Sequence, residues 1–142
     1  MTTILCAMPE QTYRRMMNPE LEAQMRALGD VVLCQNAREM SEEEYSALWE
    51  QADAAVTGWG VRAPTPEILD RVKKLRIICH TAGSVRMFPR YALEKGIVIT
   101  TARAAIARTV AEFCLMNALI LLRRYACFLD SDPARKEFLS PG

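Results

Sequence analysis

Short apolar runs recur through the first hundred residues, at Ile4 to Ala7, Val31 to Leu33, Ala54 to Thr57, Ile77 to Cys79 and Ile97 to Ile99. They are continuous rather than alternating, the pattern of strands covered on both faces. Helical spacing fills the gaps. Pro19 to Leu28 is followed by Gly29, placed as a C′ glycine. Ser41 stands three residues before Glu44 as a capping box, and opens a helix turning Tyr45, Leu48 and Trp49 inward. Thr65-Pro66-Glu67 sets proline at the first position of another helix, with Ile68, Leu69 and Val72 as its apolar face.

Five strand–helix alternations imply right-handed crossovers and a parallel sheet, an α/β fold with helices on both faces. The expected strand order is the flavodoxin-like 2-1-3-4-5. A much longer helical pattern runs from about Ala104 to Tyr125. Val110, Phe113, Cys114, Asn117, Leu121 and Arg124 keep helical spacing, while Leu115, Met116, Leu119, Ile120 and Leu122 make the other sides apolar. Such a helix needs cover on most faces, and one small domain covers only one. A second domain or subunit is expected over the rest. The chain is thus divided into a flavodoxin-like domain over 1–103 and an inter-domain helix with tail over 104–142, polar after Asp130.

Composition narrows the class. A chain of 142 residues can bury about two-thirds of its unfolded surface without metals or disulfides. Its 18 basic and 17 acidic residues are well mixed, for a net charge of +1. No basic stripe points to nucleic acid. Five cysteines, at positions 6, 34, 79, 114 and 127, show no paired spacing and suit a reducing cytoplasm. The N-terminus lacks the basic segment and apolar run of a signal peptide. The longest apolar run, Phe113 to Leu122, is interrupted by Asn117 and is too short for a bilayer, so no membrane partner is expected. No His/Cys/Asp cluster has metal-ligand spacing.

Two common activities of this architecture fail on residue chemistry. A receiver domain needs an aspartate ending the third strand, where Val56-Thr57-Gly58-Trp59 stands. A flavin mononucleotide site needs a hydroxyl- and glycine-rich turn after the first strand, where Met8-Pro9-Glu10-Gln11 stands. The fourth strand ends Cys79-His80 and enters Thr81-Ala82-Gly83-Ser84-Val85-Arg86. A small-residue turn at a strand's carboxyl end lets backbone N–H groups hold an anion such as a carboxylate. The plain alternative is an ordinary strand-to-helix turn with glycine for positive φ.

With its surroundings, this segment resembles the N-terminal part of the D-isomer-specific 2-hydroxyacid dehydrogenases, the phosphoglycerate dehydrogenase-like family. The resemblance is carried by Leu75 to Phe88, Ala92 to Gly96, Ile97 to Arg103, and Val110-Ala111-Glu112 with the apolar helix ending at Arg123-Arg124. Ala52 to Val56 and Thr65 to Leu69 match in kind. Arg86 stands where the family has aspartate, Met87 where it has asparagine, and Thr101-Ala102-Arg103 replaces N-T-P.

The resemblance implies an oxidoreductase using NAD or NADP on a small 2-hydroxy or 2-keto acid. It places the substrate carboxylate on the amides of Gly83 and Ser84 with Val85 beside them, and Thr109 near the nicotinamide. It also implies a homodimer through residues 104–125. The family's arginine, acidic residue and histidine that move the proton, like the G-x-G-x-x-G turn for the pyrophosphate, belong to a nucleotide domain. No catalytic residue is therefore expected in this chain, and it reads as truncated and inactive alone. The rival is a non-catalytic flavodoxin-like dimerisation or regulatory module. His80, the only histidine, reads as a strand-end structural residue with substrate contact as the alternative. Arg86 is either an anion partner or a solvated helix-start residue, and Trp59 either a crevice wall or a loop anchor.

Overall fold

The computed structural model describes residues 2–125. The chain forms two units, Met1–Ala104 and Ala105–Gly142. In the first, β1 (Thr3–Ala7), β2 (Asp30–Cys34), β3 (Ala54–Thr57), β4 (Ile77–His80) and β5 (Val98–Thr101) form one sheet. All neighbours are parallel and the order is β2-β1-β3-β4-β5, as the alternation of elements implied. The connecting helices are α1 (Glu10–Met16), α2 (Pro19–Leu28), α3 (Glu42–Gln51), α4 (Pro66–Arg71) and α5 (Tyr91–Glu94).

Three of the five helices, α2, α3 and α4, start where a side chain satisfies an orphan amide. Asn18 accepts from the Leu21 amide at 2.8 Å. Ser41 Oγ accepts from the Glu44 amide at 3.2 Å while the Glu44 carboxylate accepts from the Ser41 amide at 2.9 Å, completing the capping box. Thr65 caps α4 through the Ile68 amide. Helix α1 was not read from the sequence; it is a short helix of about two turns without a side-chain cap.

Two apolar clusters lie on opposite faces of the sheet. Tyr45, Trp49, Ile68, Leu69 and Ala92 from α3, α4 and α5 pack with Leu5, Ala55 and Ile78. On the other face Met25 of α2 packs with Ile4, Cys6 and Met8. That second layer stops short of the sheet's far edge. Ile77 and Cys79 are only half-buried, and Val98 and Thr100, their register partners on β5, are exposed. Continuous apolar runs therefore overstated the cover on β4 and β5, because the apolar cluster on this face draws only on β2, β1 and β3 of the sheet.

Gly29 ends α2, but not as a left-handed cap. Its backbone is extended, with φ 167°. A Cβ there would lie 2.2 Å from the Thr2 carbonyl oxygen, which accepts the Asp30 amide at 2.9 Å. Glycine is required by close approach of two backbones at the start of the sheet. Gly29→Ala is expected to lower stability by about 1–3 kcal/mol in a denaturant titration, through forced separation of β1 and β2.

The second unit is dominated by α6 (Arg103–Leu122), apolar on every side and with no buried residue. Phe113, Leu115, Leu121 and Leu122 are among its exposed side chains. The helix closes in a Schellman-type cap: Tyr125 N donates to Ile120 O, Arg124 N donates to Leu121 O, and Arg124 takes φ 49°. Taken whole, with a mean hydropathy of 1.7, α6 is long and apolar enough to cross a membrane by length and composition. Counting only the run from Phe113 understated it. The tail read from Asp130 onward, and Cys127, lie outside the described residues.

Candidate functional site

Parallel strands deliver their carboxyl ends to one edge of the sheet, and the loops leaving β1 to β4 gather there. The loop after β4 carries the residues singled out from the sequence. Gly83 and Val85 are half-buried and Ser84 is exposed. Among the described residues, no carbonyl or side chain accepts from the amides of Gly83, Ser84 or Val85. The loop's other groups are engaged. The Thr81 amide and hydroxyl both donate to Thr57 O at 2.8 Å. Ala102 N is shared between the carbonyls of His80 and Ala82, each at 3.2 Å, and Phe88 N donates to Val85 O. The Val85 side chain packs against the main core cluster.

Gly83 does not occupy the left-handed region, which removes the ordinary reason for a glycine in this turn. A Cβ at Gly83 would meet nothing within 4 Å. The residue is small where neither backbone conformation nor packing demands it, and its amide lies beside two others without acceptors. Three such N–H groups in one loop can bind one anionic oxygen pair.

His80 sits at the root of this loop and is 2 % exposed. Its Nδ1 is 2.9 Å from Thr57 Oγ1, and its ring meets Phe88 edge-on at 5.3 Å between centroids. Nε2 has no hydrogen-bond partner among the described residues. Burial lowers its pKa from the ordinary 6.5, with the Ser84 backbone pulling the other way. The folded protein thus keeps His80 neutral where the unfolded chain would protonate it. Below about pH 6.5 unfolding takes up a proton, so stability is lost as pH falls. Unfolding midpoints are expected to drop between pH 6.5 and 5. Because His80 is the only histidine, His80→Gln should flatten that slope.

The other candidates are scattered. Arg86 is exposed, with no ion pair among the described residues. Thr109 is exposed on α6, in the second unit. Trp59 is 53 % exposed at the end of β3 and lines a cavity of about 410 Å³ with Met8, Gln11, Asn36 and Arg38. No residue of the β4 loop lines that cavity.

Sequence reasoning missed Arg62, which builds one wall of it. Its guanidinium donates to the carbonyls of Ala37 and Met40 at 3.0 and 3.2 Å, pairs with Glu42, and lies 4.7 Å from the Tyr45 ring centre. No periodicity or motif marks an arginine whose partners come from a loop some twenty residues upstream.

The chain matches no protein-family model and no curated protein. Solved structures do match it. A phosphoglycerate oxidoreductase from Rhizobium etli superposes with a TM-score of 0.65 at 21% identity, covering 99% of this chain and 42% of that one. The likeness is one of fold. An acyclic imino acid reductase in complex with NADPH and D-Arg gives 0.67 at 15%, over 99% and 43%. D-Lactate dehydrogenase from Aquifex aeolicus, complexed with NAD and lactic acid, gives 0.59 at 17%, over 99% and 39%. The chain spans about two-fifths of the length of these proteins. Its five-stranded parallel sheet with a long following helix is thus an architecture found in dehydrogenases and reductases.

Proposed function

We propose that this chain is the substrate-binding part, with the inter-domain helix, of an NAD(P)-dependent oxidoreductase acting on a D-2-hydroxy acid or reducing the 2-keto acid. The observation that carries the reading is the trio of acceptor-free amides at Gly83, Ser84 and Val85, at a strand's carboxyl end. In this role they hold the substrate carboxylate and fix C2 for hydride transfer. His80 and Thr57 hold the loop from beneath.

The residues in hand do not fit a dinucleotide. Gly58 is hemmed in by Thr12 and Thr81, and Gly60 turns with φ +79° over Pro9, so neither leaves open backbone for a pyrophosphate. NAD or NADP is therefore held by a nucleotide-binding domain other than residues 1–103, with Thr109 the one residue here assigned to the nicotinamide end. No proton-transfer residue is assigned in this chain, and it is expected to show no turnover alone. The segment 104–142 begins the link to that domain and pairs with a second copy through residues 104–125. The apolar surface of α6, with no residue buried, favours such cover. Protein rather than lipid is assigned to it because the dehydrogenase and reductase folds that match the chain run through 99% of it. A cytoplasmic setting suits the free thiols of Cys6, Cys34, Cys79 and Cys114.

Titration of the isotope-labelled chain with D-lactate and pyruvate tests the reading. The amide signals of Gly83, Ser84 and Val85 are expected to move together and saturate. If they stay still at high millimolar acid, the non-catalytic dimerisation module replaces this reading.

A further inference from the structure

The cavity of about 410 Å³ takes no part in that reading, yet it has the features of a binding site. We propose that it is a second small-molecule site, separate from the β4 loop, for a zwitterion of amino-acid type. Its carboxylate is taken by Arg38, its ammonium by Glu39, and its apolar part lies against Trp59.

Position comes first. In the order β2-β1-β3-β4-β5 the chain's direction of sheet growth reverses between β1 and β3. The loops leaving those strands diverge there and open a crevice, which is where open α/β sheets take ligands. This cavity is lined from the ends of β1, β2 and β3, and its volume falls within the roughly 300–1,000 Å³ of small-molecule pockets.

Its walls are held in place before any ligand arrives. Met8 N donates to Cys34 O at 3.2 Å and Val61 N to Gly58 O at 3.2 Å. Thr12 Oγ1 donates to Trp59 O at 3.0 Å. Arg62 clamps the loop after β2 through Ala37, Met40 and Glu42.

The lining chemistry selects the ligand. Arg62 is committed to Glu42, which leaves Arg38 and Glu39 as the remaining charged residues of the lining. Neither has an ion pair among the described residues, although seven other pairs form there. The carboxamides of Gln11, Gln35 and Asn36 also make no side-chain hydrogen bond among the described residues. One cation, one anion and three groups that both donate and accept suit a molecule carrying both charges, with hydrogen bonds to spare. A simple anion would leave Glu39 opposing it.

Residues of α1 and the end of β3 lie between this lining and the start of the β4 loop. Between them stand the Thr12–Trp59 hydrogen bond and Met16 Sδ, which the Thr81 hydroxyl approaches at 3.4 Å. Gly58 fills the remaining gap: a Cβ there would lie 3.0 Å from Thr12 Cγ2 and 3.1 Å from Thr81 Oγ1. No residue of the β4 loop lines the cavity, so the site stands whether or not that loop binds an acid.

The test is amide and indole shift mapping on the full 142-residue chain with L- and D-alanine, leucine, phenylalanine and glutamine, against acetate and methylamine. At least one amino acid should move the Trp59 indole and the Gln35, Asn36 and Gly60 amides, saturating in the millimolar range or below. Acetate and methylamine should each bind about tenfold more weakly or worse, and Arg38→Gln and Glu39→Gln should each weaken the amino acid at least about tenfold, while Gly83→Val leaves it unchanged. Movement confined to the β4 loop, equal binding of acetate, indifference to Arg38→Gln or Glu39→Gln, or no movement with any amino acid each overturns the proposal. Both variants alter exposed side chains without partners among the described residues, so a folding defect is not expected to mask the result.

Discussion

Gly83→Val should abolish binding of D-lactate and pyruvate at the β4 loop while leaving the fold as stable as before. The two halves of that result separate a ligand-binding glycine from a structural one. A glycine kept for its backbone conformation sits in the left-handed region, and a side chain there brings strain. Gly83 does not, and a Cβ built on it meets nothing within 4 Å. Gly83→Ala should therefore raise stability by about 0.4–1 kcal/mol, because the unfolded chain loses freedom that the folded loop never used. The same methyl occupies open space in the loop that carries the three free amides. Alanine is expected to weaken D-lactate or pyruvate binding severalfold, and valine to remove it. Thermal melts read the first effect and amide titrations the second. A large loss of stability in Gly83→Ala would return the residue to an ordinary turn.

Trp49→Ala carries the largest stability effect. Trp49 is wholly buried and meets Tyr45 edge-on at 6.1 Å between ring centres. It belongs to the cluster joining α3 to Leu5, Ala55 and Ile78 in the sheet. Truncating a buried tryptophan costs about 3–5 kcal/mol in lost burial and residual cavity. Set against a typical total of about 5–15 kcal/mol, that leaves the first unit marginal at 37 °C. Trp49→Phe is a useful companion, since the indole Nε1 is buried with no partner among the described residues. Phenylalanine gives up part of the ring but also removes that unsatisfied donor. Its expected cost is well below alanine's, and equal losses for the two variants would mean that the ring's packing is not what matters.

Residues 19–28, 41–51 and 65–72 show how much the local pattern settles. Ser41 and Thr65 are start signals with apolar faces behind them, Pro19 to Leu28 reads as the third helix, and each forms as expected. The five short apolar runs became the five strands in the expected order, because alternation and chain handedness leave few ways to arrange them. Other features were not local. Gly29 looked like a cap and proved to be a point where two backbones meet, since only strand pairing brings Thr2 to it. Arg62 looked like any surface arginine, and only the loop after β2 gives it partners.

Sequence alone determined the element order, the parallel sheet, the apolar helix in need of cover, and a small-residue turn at the end of β4. Those are fixed by near neighbours along the chain and by handedness. Tertiary structure decided that Gly83 has open space and amides without acceptors, that His80 is buried with one nitrogen unmatched, and that a walled cavity lies between β1, β2 and β3. Each depends on groups distant in sequence meeting at the carboxyl edge of the sheet, a juxtaposition that no periodicity encodes.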